Sequence, residues 1–175
     1  LAVTELELSE FAIHDFKTTI KDAGKQVHFG LQTSISKKTQ KIKGRRTCLI
    51  SEQHHAVNVT DCDLTDVTRD LRESGRWTEL DVPVNDSGQF VTLAVYYGVS
   101  GASSDHEAFQ LNERLLAAAL ARMLQEPDVP YILVMDGNIN KDESFAIRSV
   151  IHGAHGVDAR HEFSPDDYDT TTYVF

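Results

Sequence analysis

Several things are scarce in this chain of 175 residues, and each scarcity removes a class of protein. Two cysteines, Cys48 and Cys62, are too few for a disulfide scaffold and have no metal-ligand spacing, so both read as ordinary buried or half-buried thiols. Four prolines are too scattered to mark a linker, and no internal repeat or low-complexity tract divides the chain. No apolar run approaches the roughly 18 residues of a membrane span, and the opening LAVTELELSE carries acids where a signal peptide carries a basic segment. The expectation is a domain neither in nor across a membrane, and intracellular rather than secreted. Positive charge is short as well. The 17 Lys and Arg face 27 Asp and Glu, a formal charge of −10, so the molecule as a whole repels a polyanion and nucleic acid would need a local basic face.

What is present is ordinary globular material: 41% hydrophobic and 25% charged residues in a length suited to one domain with a real core. One basic face exists. Lys37, Lys38, Lys41, Lys43, Arg45 and Arg46 place six cations in ten residues with no acid among them. Such a run is either a solvated loop or a contact with a phosphate backbone.

The chain alternates strands and helices. Residues 1–6 start apolar, as a buried strand would. Ala12, Ile13, Phe16 and Ile20 share a helical stripe over residues 10–23, and Gly24 stands where a C-cap glycine belongs. Residues 26–30, 47–51 and 56–60 read as short strands, with the basic run connecting the first two. Residues 61–74 hold a helical turn or two. Residues 80–84 and 90–97 flank the turn sequence Asn-Asp-Ser-Gly and form a predicted hairpin, its second strand, FVTLAVYY, apolar on both faces. Ser104-Asp105-His106-Glu107 has the form of a capping box, and Ala108, Leu111, Leu115, Ala119 and Met123 carry a stripe to about Gln125. Pro127 and Pro130 end that helix. YILVM, residues 131–135, is a buried strand by composition; a helix over about 143–152 and a polar tail with an extended end follow.

Chemistry gathers after YILVM. Asp136-Gly137-Asn138 projects an acid and an amide two residues apart from a strand end, where both reach one pocket. A carboxylate suits a hard divalent cation or a water to be deprotonated, and an amide suits a phosphate oxygen. Asp-Gly-Asn is also ordinary turn sequence.

The order of features adds to this. A strand with Glu5 near its end, a helix, a basic loop, a strand ending Tyr96-Tyr97-Gly98, a capped helix and an apolar strand ending Asp-x-Asn together resemble the endonuclease/exonuclease/phosphatase superfamily. The stretch from YYGVSG through the Asn-Glu-containing helix to VMDGNIN is most similar to retrotransposon-type endonuclease-like domains. The resemblance implies an α+β fold, a two-layered β-sandwich of mixed sheets flanked by helices, and hydrolysis of phosphodiesters with nucleic acid, DNA first, as substrate. It implies a divalent metal, usually magnesium, held by Glu5. Tyr97, or its neighbour Tyr96, would position the phosphate, Asp136 would orient or deprotonate the attacking water, and Asn138 would hold the phosphate. Lys41, Lys43, Arg45 and Arg46 would be the nucleic-acid contacts; no protein partner is implied.

The match has departures. Met135 stands where the family has glycine, and Thr4 where it has glutamine. The family's first strand, with its metal-site asparagine, would precede Leu1, and no Ser-Asp-His follows Asp136. Ser104-Asp105-His106 spells that tripeptide in the wrong place, at a helix start. The expectation is therefore one incomplete domain over residues 1–175, hydrolysing nucleic acid poorly on its own. The alternatives are an inactive remnant or binding module of the same fold and, third, a phosphatase acting on phosphoinositides or a sphingomyelinase-like enzyme.

Overall fold

A computed structural model describes residues 1–6, 8, 10–30, 32–35, 42–44, 47–52, 57–58, 66–85, 88–159 and 172–174. The architecture is α+β, built on two sheets that share a core. The smaller is antiparallel, in the order β1 (Ala2–Val3), β5 (Cys48–Glu52), β2 (Lys25–Phe29). The larger runs β10 (Thr172–Val174), β9 (Tyr131–Asp136), β8 (Phe90–Tyr97), β7 (Trp77–Pro83), β6 (Val57–Asn58). It is mixed, because β8 and β9 are parallel while every other neighbour pairs antiparallel.

Leu49 of β5 packs with Leu80 of β7 and Val95 of β8 between the sheets. The Thr47 and Thr78 hydroxyls also meet there at 2.8 Å. The opposite face of the larger sheet carries the main core, formed with α2 (Asp66–Glu73), α3 (His106–Met123) and α4 (Phe145–His152). On the outer side of the small sheet, α1 (Glu10–Asp22) sets Phe16 edge-on to Phe29 with ring centroids 6.1 Å apart. Both sheets are thus covered by helices, the layering that the mixed apolar patterns of β8 and β9 require. Among the described residues no helix is long and apolar enough to cross a membrane.

Several expectations are refined. The connection between β2 and β5 contains a hairpin of its own, β3 (Gln32–Ile35) with β4 (Ile42–Gly44), rather than a plain basic loop. The physical reason is local: QTSI and the strand around Ile42 carry β-branched residues that suit extended backbone. Gly24, at φ 74, ends α1 as its position implied. The cap of α3 is shifted by one residue. Asp105, not Ser104, accepts the Ala108 N–H at 2.7 Å, since a carboxylate is the stronger acceptor and its charge suits a helix N-terminus. The extended end of the chain forms β10, which pairs with β9, Thr172 opposite Asp136.

The buried face of α3 is also rotated from the expected stripe. Leu111 is 39% exposed while Asn112 is fully buried beside Leu115, Leu116 and Ala119. Cys48 is buried and unpaired, and burial pushes its thiol up to about 12, which leaves it protonated and inert; Cys62 lies outside the described residues. Beneath the sheet, buried Glu79 meets Arg122 at 2.8 Å and Arg72 at 3.8 Å and accepts the Trp77 indole N–H at 3.1 Å.

Candidate active site

The parallel pairing of β8 with β9 brings Tyr97 level with Asp136, so two C-terminal strand ends lie side by side. Alternation along β8 then separates the two tyrosines. Tyr96 turns toward the helices, fully buried, and donates to Asn112 Oδ1 at 2.8 Å. Tyr97 turns the other way and donates from Oη to Glu5 Oε1 at 2.9 Å, with Ser100 Oγ at 3.2 Å. Of the two, Tyr97 is the one that meets Glu5.

Glu5 lies two residues past β1, exposed, with a positive φ of 59. Asn138 is left-handed too, at φ 51, and Ala154 is the only other non-glycine residue with positive φ among the described residues. Two of three such conformations fall on Glu5 and Asn138. Left-handed backbone costs a bulky residue about 1–3 kcal/mol and is retained where the surroundings impose it.

In the turn Asp136-Gly137-Asn138 the backbone N–H of Asn138 is close enough to the Asp136 carboxylate to favour its charged form. The Asn138 side chain donates from Nδ2 to the Gly98 carbonyl at 3.1 Å, and Gly98 N–H donates to the Asp136 carbonyl at 2.7 Å. The Asp136 carboxyl is half-buried and held above the usual aspartate range. Burial is the main cause and the charge of Glu5 adds to it, while the Asn138 N–H pulls the other way. Tyr97 bonds to Glu5 and stands level with Asp136 in the β8–β9 register, so the two carboxylates share one neighbourhood although they lie 131 positions apart in the chain. Met135, the departure from the family's glycine, points into the helix-side core and is fully buried, so it leaves the site face unobstructed.

The structure adds two residues that sequence reasoning missed. Arg76 donates to the carbonyls of Tyr97 (3.2 Å) and Gly98 and stacks its guanidinium 5.2 Å from the Tyr97 ring centroid. Nothing in the run around Arg76 distinguishes it in the sequence. Asn112 is the other, hidden because the stripe through Ala108, Leu111 and Leu115 leaves it one position off the expected apolar face.

Of the expected nucleic-acid contacts, Lys43 falls in β4, while Lys41, Arg45 and Arg46 lie outside the described residues. Among the described residues no three His, Cys, Asp or Glu side chains gather as a metal site. Two carboxylates are nonetheless what magnesium commonly takes from a protein, because it keeps several of its waters. The oxygen-only donors Glu5 and Asp136 fit such an ion.

Comparison with known proteins gives the fold. No family model matches the chain, and no curated protein does. Solved structures match. The human Nocturnin catalytic domain with bound sulfate is 18% identical with a TM-score of 0.65, over 99% of this chain and 67% of that one. A humanized D. rerio TDP2 with 14 mutations is 12% identical with a TM-score of 0.55, over 95% and 59%. ANGEL2, a 2′,3′-cyclic phosphatase in complex with adenosine-2′,3′-vanadate, is 10% identical with a TM-score of 0.53, over 86% and 42%. All three are endonuclease/exonuclease/phosphatase superfamily members, and this chain has their fold. It spans about two thirds of the first and less of the others.

Proposed function

We propose that the chain carries a metal-dependent phosphodiester-hydrolysing site with nucleic acid as substrate, DNA first among the candidates. The observation that supports this most is the meeting of Glu5, Tyr97, Asp136 and Asn138 at two adjacent strand ends, with their side chains already bonded to one another or to the same backbone. The fold neighbours point the same way, one holding a sulfate anion and one described as a cyclic phosphatase with a nucleoside vanadate.

In this reading Glu5, oriented by the Tyr97 hydroxyl, would hold the ion, with Asp136 beside it. Mg2+ bound there would neutralise charge developing on the phosphate. Asp136 orients the attacking water and takes its proton; a carboxyl raised by burial is a better base than an exposed one. Asn138 presents a side-chain amide, one of whose two N–H bonds goes to Gly98, to a phosphate oxygen. Arg76 holds the Tyr97-Gly98 carbonyls and so fixes the strand end from outside.

The test is incubation of supercoiled plasmid and of single-stranded RNA with the protein, with magnesium or with chelator, beside Asp136→Ala. Slow, magnesium-dependent cleavage that falls about 10²-fold or more in the variant is expected. A binding module of the same fold is the second reading, because Met135 and Thr4 stand where the family has glycine and glutamine. It predicts retained binding and no cleavage by either protein. If the basic run contacts the backbone, replacing Arg45 and Arg46 by alanine reduces the salt slope of binding by about 2. An unchanged slope returns the run to a solvated surface.

A further inference from the structure

Asn112 is fully buried on the apolar face of α3. A side-chain amide there is costly unless its polar atoms are bonded. Its Oδ1 accepts from Val99 N at 2.7 Å and from Tyr96 Oη at 2.8 Å, and its Nδ2 donates to the Gly137 carbonyl at 2.9 Å. None of these partners is in its own helix. Two of them bracket Tyr97-Gly98, and the third lies between Asp136 and Asn138.

We propose that Asn112 is a positioning residue for the candidate site, a single amide that sets the end of β8 against the end of β9 and thereby Tyr97 against Asp136 and Asn138. This rests on the hydrolytic reading of those four residues. Packing agrees with it: a Cβ on Gly98 would stand 3.1 Å from Asn112 Oδ1, so the amide reaches over a residue that has no side chain. The residue type is specified. Aspartate offers no donor to Gly137 when ionised, and glutamine, one methylene longer, would push the strand end away. Arg76 grips the same Tyr97-Gly98 segment by its carbonyls, so the segment is fixed from two directions.

The test compares Asn112→Asp, which keeps the shape and both accepted bonds, with Leu116→Ala, a fully buried neighbour on the same helix that bonds to neither strand end. Both lower the unfolding midpoint. In Asn112→Asp the amide of Gly98 exchanges with solvent about tenfold faster relative to Ala94 in the same strand, and the affinity for Mn2+ alone falls about tenfold. In Leu116→Ala the two amides shift together and Mn2+ affinity stays within about twofold. Equal behaviour of the two variants would overturn the proposal. Should the unsubstituted protein bind no Mn2+, the hydrolytic reading fails, and the exchange comparison still decides whether Asn112 sets the strand ends. Should Asn112→Asp not fold, Tyr96→Phe removes one of the three bonds and keeps the ring. Faster exchange confined to residues 97–99 supports the proposal, and an unchanged pattern overturns it.

Discussion

Replacing Gly98 by alanine probes how tightly the two site-bearing strands are held. A Cβ at Gly98 would stand 2.1 Å from the Gly137 carbonyl oxygen and 2.4 Å from its carbon, both backbone atoms that no rotamer change can clear. The strand ends must separate. Overpacking of this kind costs about 1–3 kcal/mol. Separation also weakens the 2.7 Å bond from Gly98 to Asp136 and the 2.9 Å bond from Asn112 to Gly137, at about 1 kcal/mol each. The total, about 3–5 kcal/mol, is a large part of the roughly 5–15 kcal/mol that keeps a domain folded. It should lower the thermal midpoint by about 6–20 °C for a chain of this size. Gly101 is the internal comparison: its φ is +84 and no atom lies within 4 Å of where a Cβ would stand, so alanine there costs only the left-handed backbone penalty of about 1–2 kcal/mol. Thermal and urea unfolding of the two variants settle the matter. A Gly98→Ala loss no larger than that of Gly101→Ala would refute the close approach of the two turns.

Two other outcomes follow from buried charge. Because Asp136 is raised chiefly by burial, the fold favours its protonated form, and stability is lost as pH rises from below the unfolded value of about 3.9 through the folded one. Asp136→Asn should therefore raise the unfolding midpoint at about pH 7 and add little at about pH 3, while abolishing cleavage; the same change at both pH values would show that burial does not act on this carboxyl. Glu79→Gln keeps the shape and the indole acceptor but removes the charge facing Arg122 and Arg72, and should cost about 3–5 kcal/mol in urea unfolding. A loss under about 1 kcal/mol would mean that the guanidiniums find solvent instead.

Much of the fold was legible in the sequence because each signal was local. The stripe and glycine of α1, the doubly apolar β8, and YILVM between proline and Asp-Gly-Asn all declared themselves by period and punctuation. The hairpin β3–β4 did not, since six cations obscured a short alternating pattern. The α3 cap slipped by one because Ser104 and Asp105 are both capping residues, and only geometry shows which oxygen reaches Ala108. Along the site, Asp136 and Asn138 were marked by sequence spacing, whereas the pairing of Glu5 with Tyr97 across 92 residues depends on how the two sheets pack. Arg76 was invisible for the same reason: its role lies in carbonyls brought to it by the β7–β8 pairing. Asn112 was hidden by a stripe read one position out of phase.

One measurement bears most directly on whether Glu5, Tyr97, Asp136 and Asn138 form a single metal-dependent site. Mn2+ titrated into the 15N-labelled protein broadens amide signals only near where it binds. The expected result is early, selective loss of the signals of Glu5, Leu6, Tyr97, Gly98, Asp136, Gly137 and Asn138, abolished by Glu5→Gln. Broadening centred on any other surface, or left unchanged by Glu5→Gln, would contradict the site.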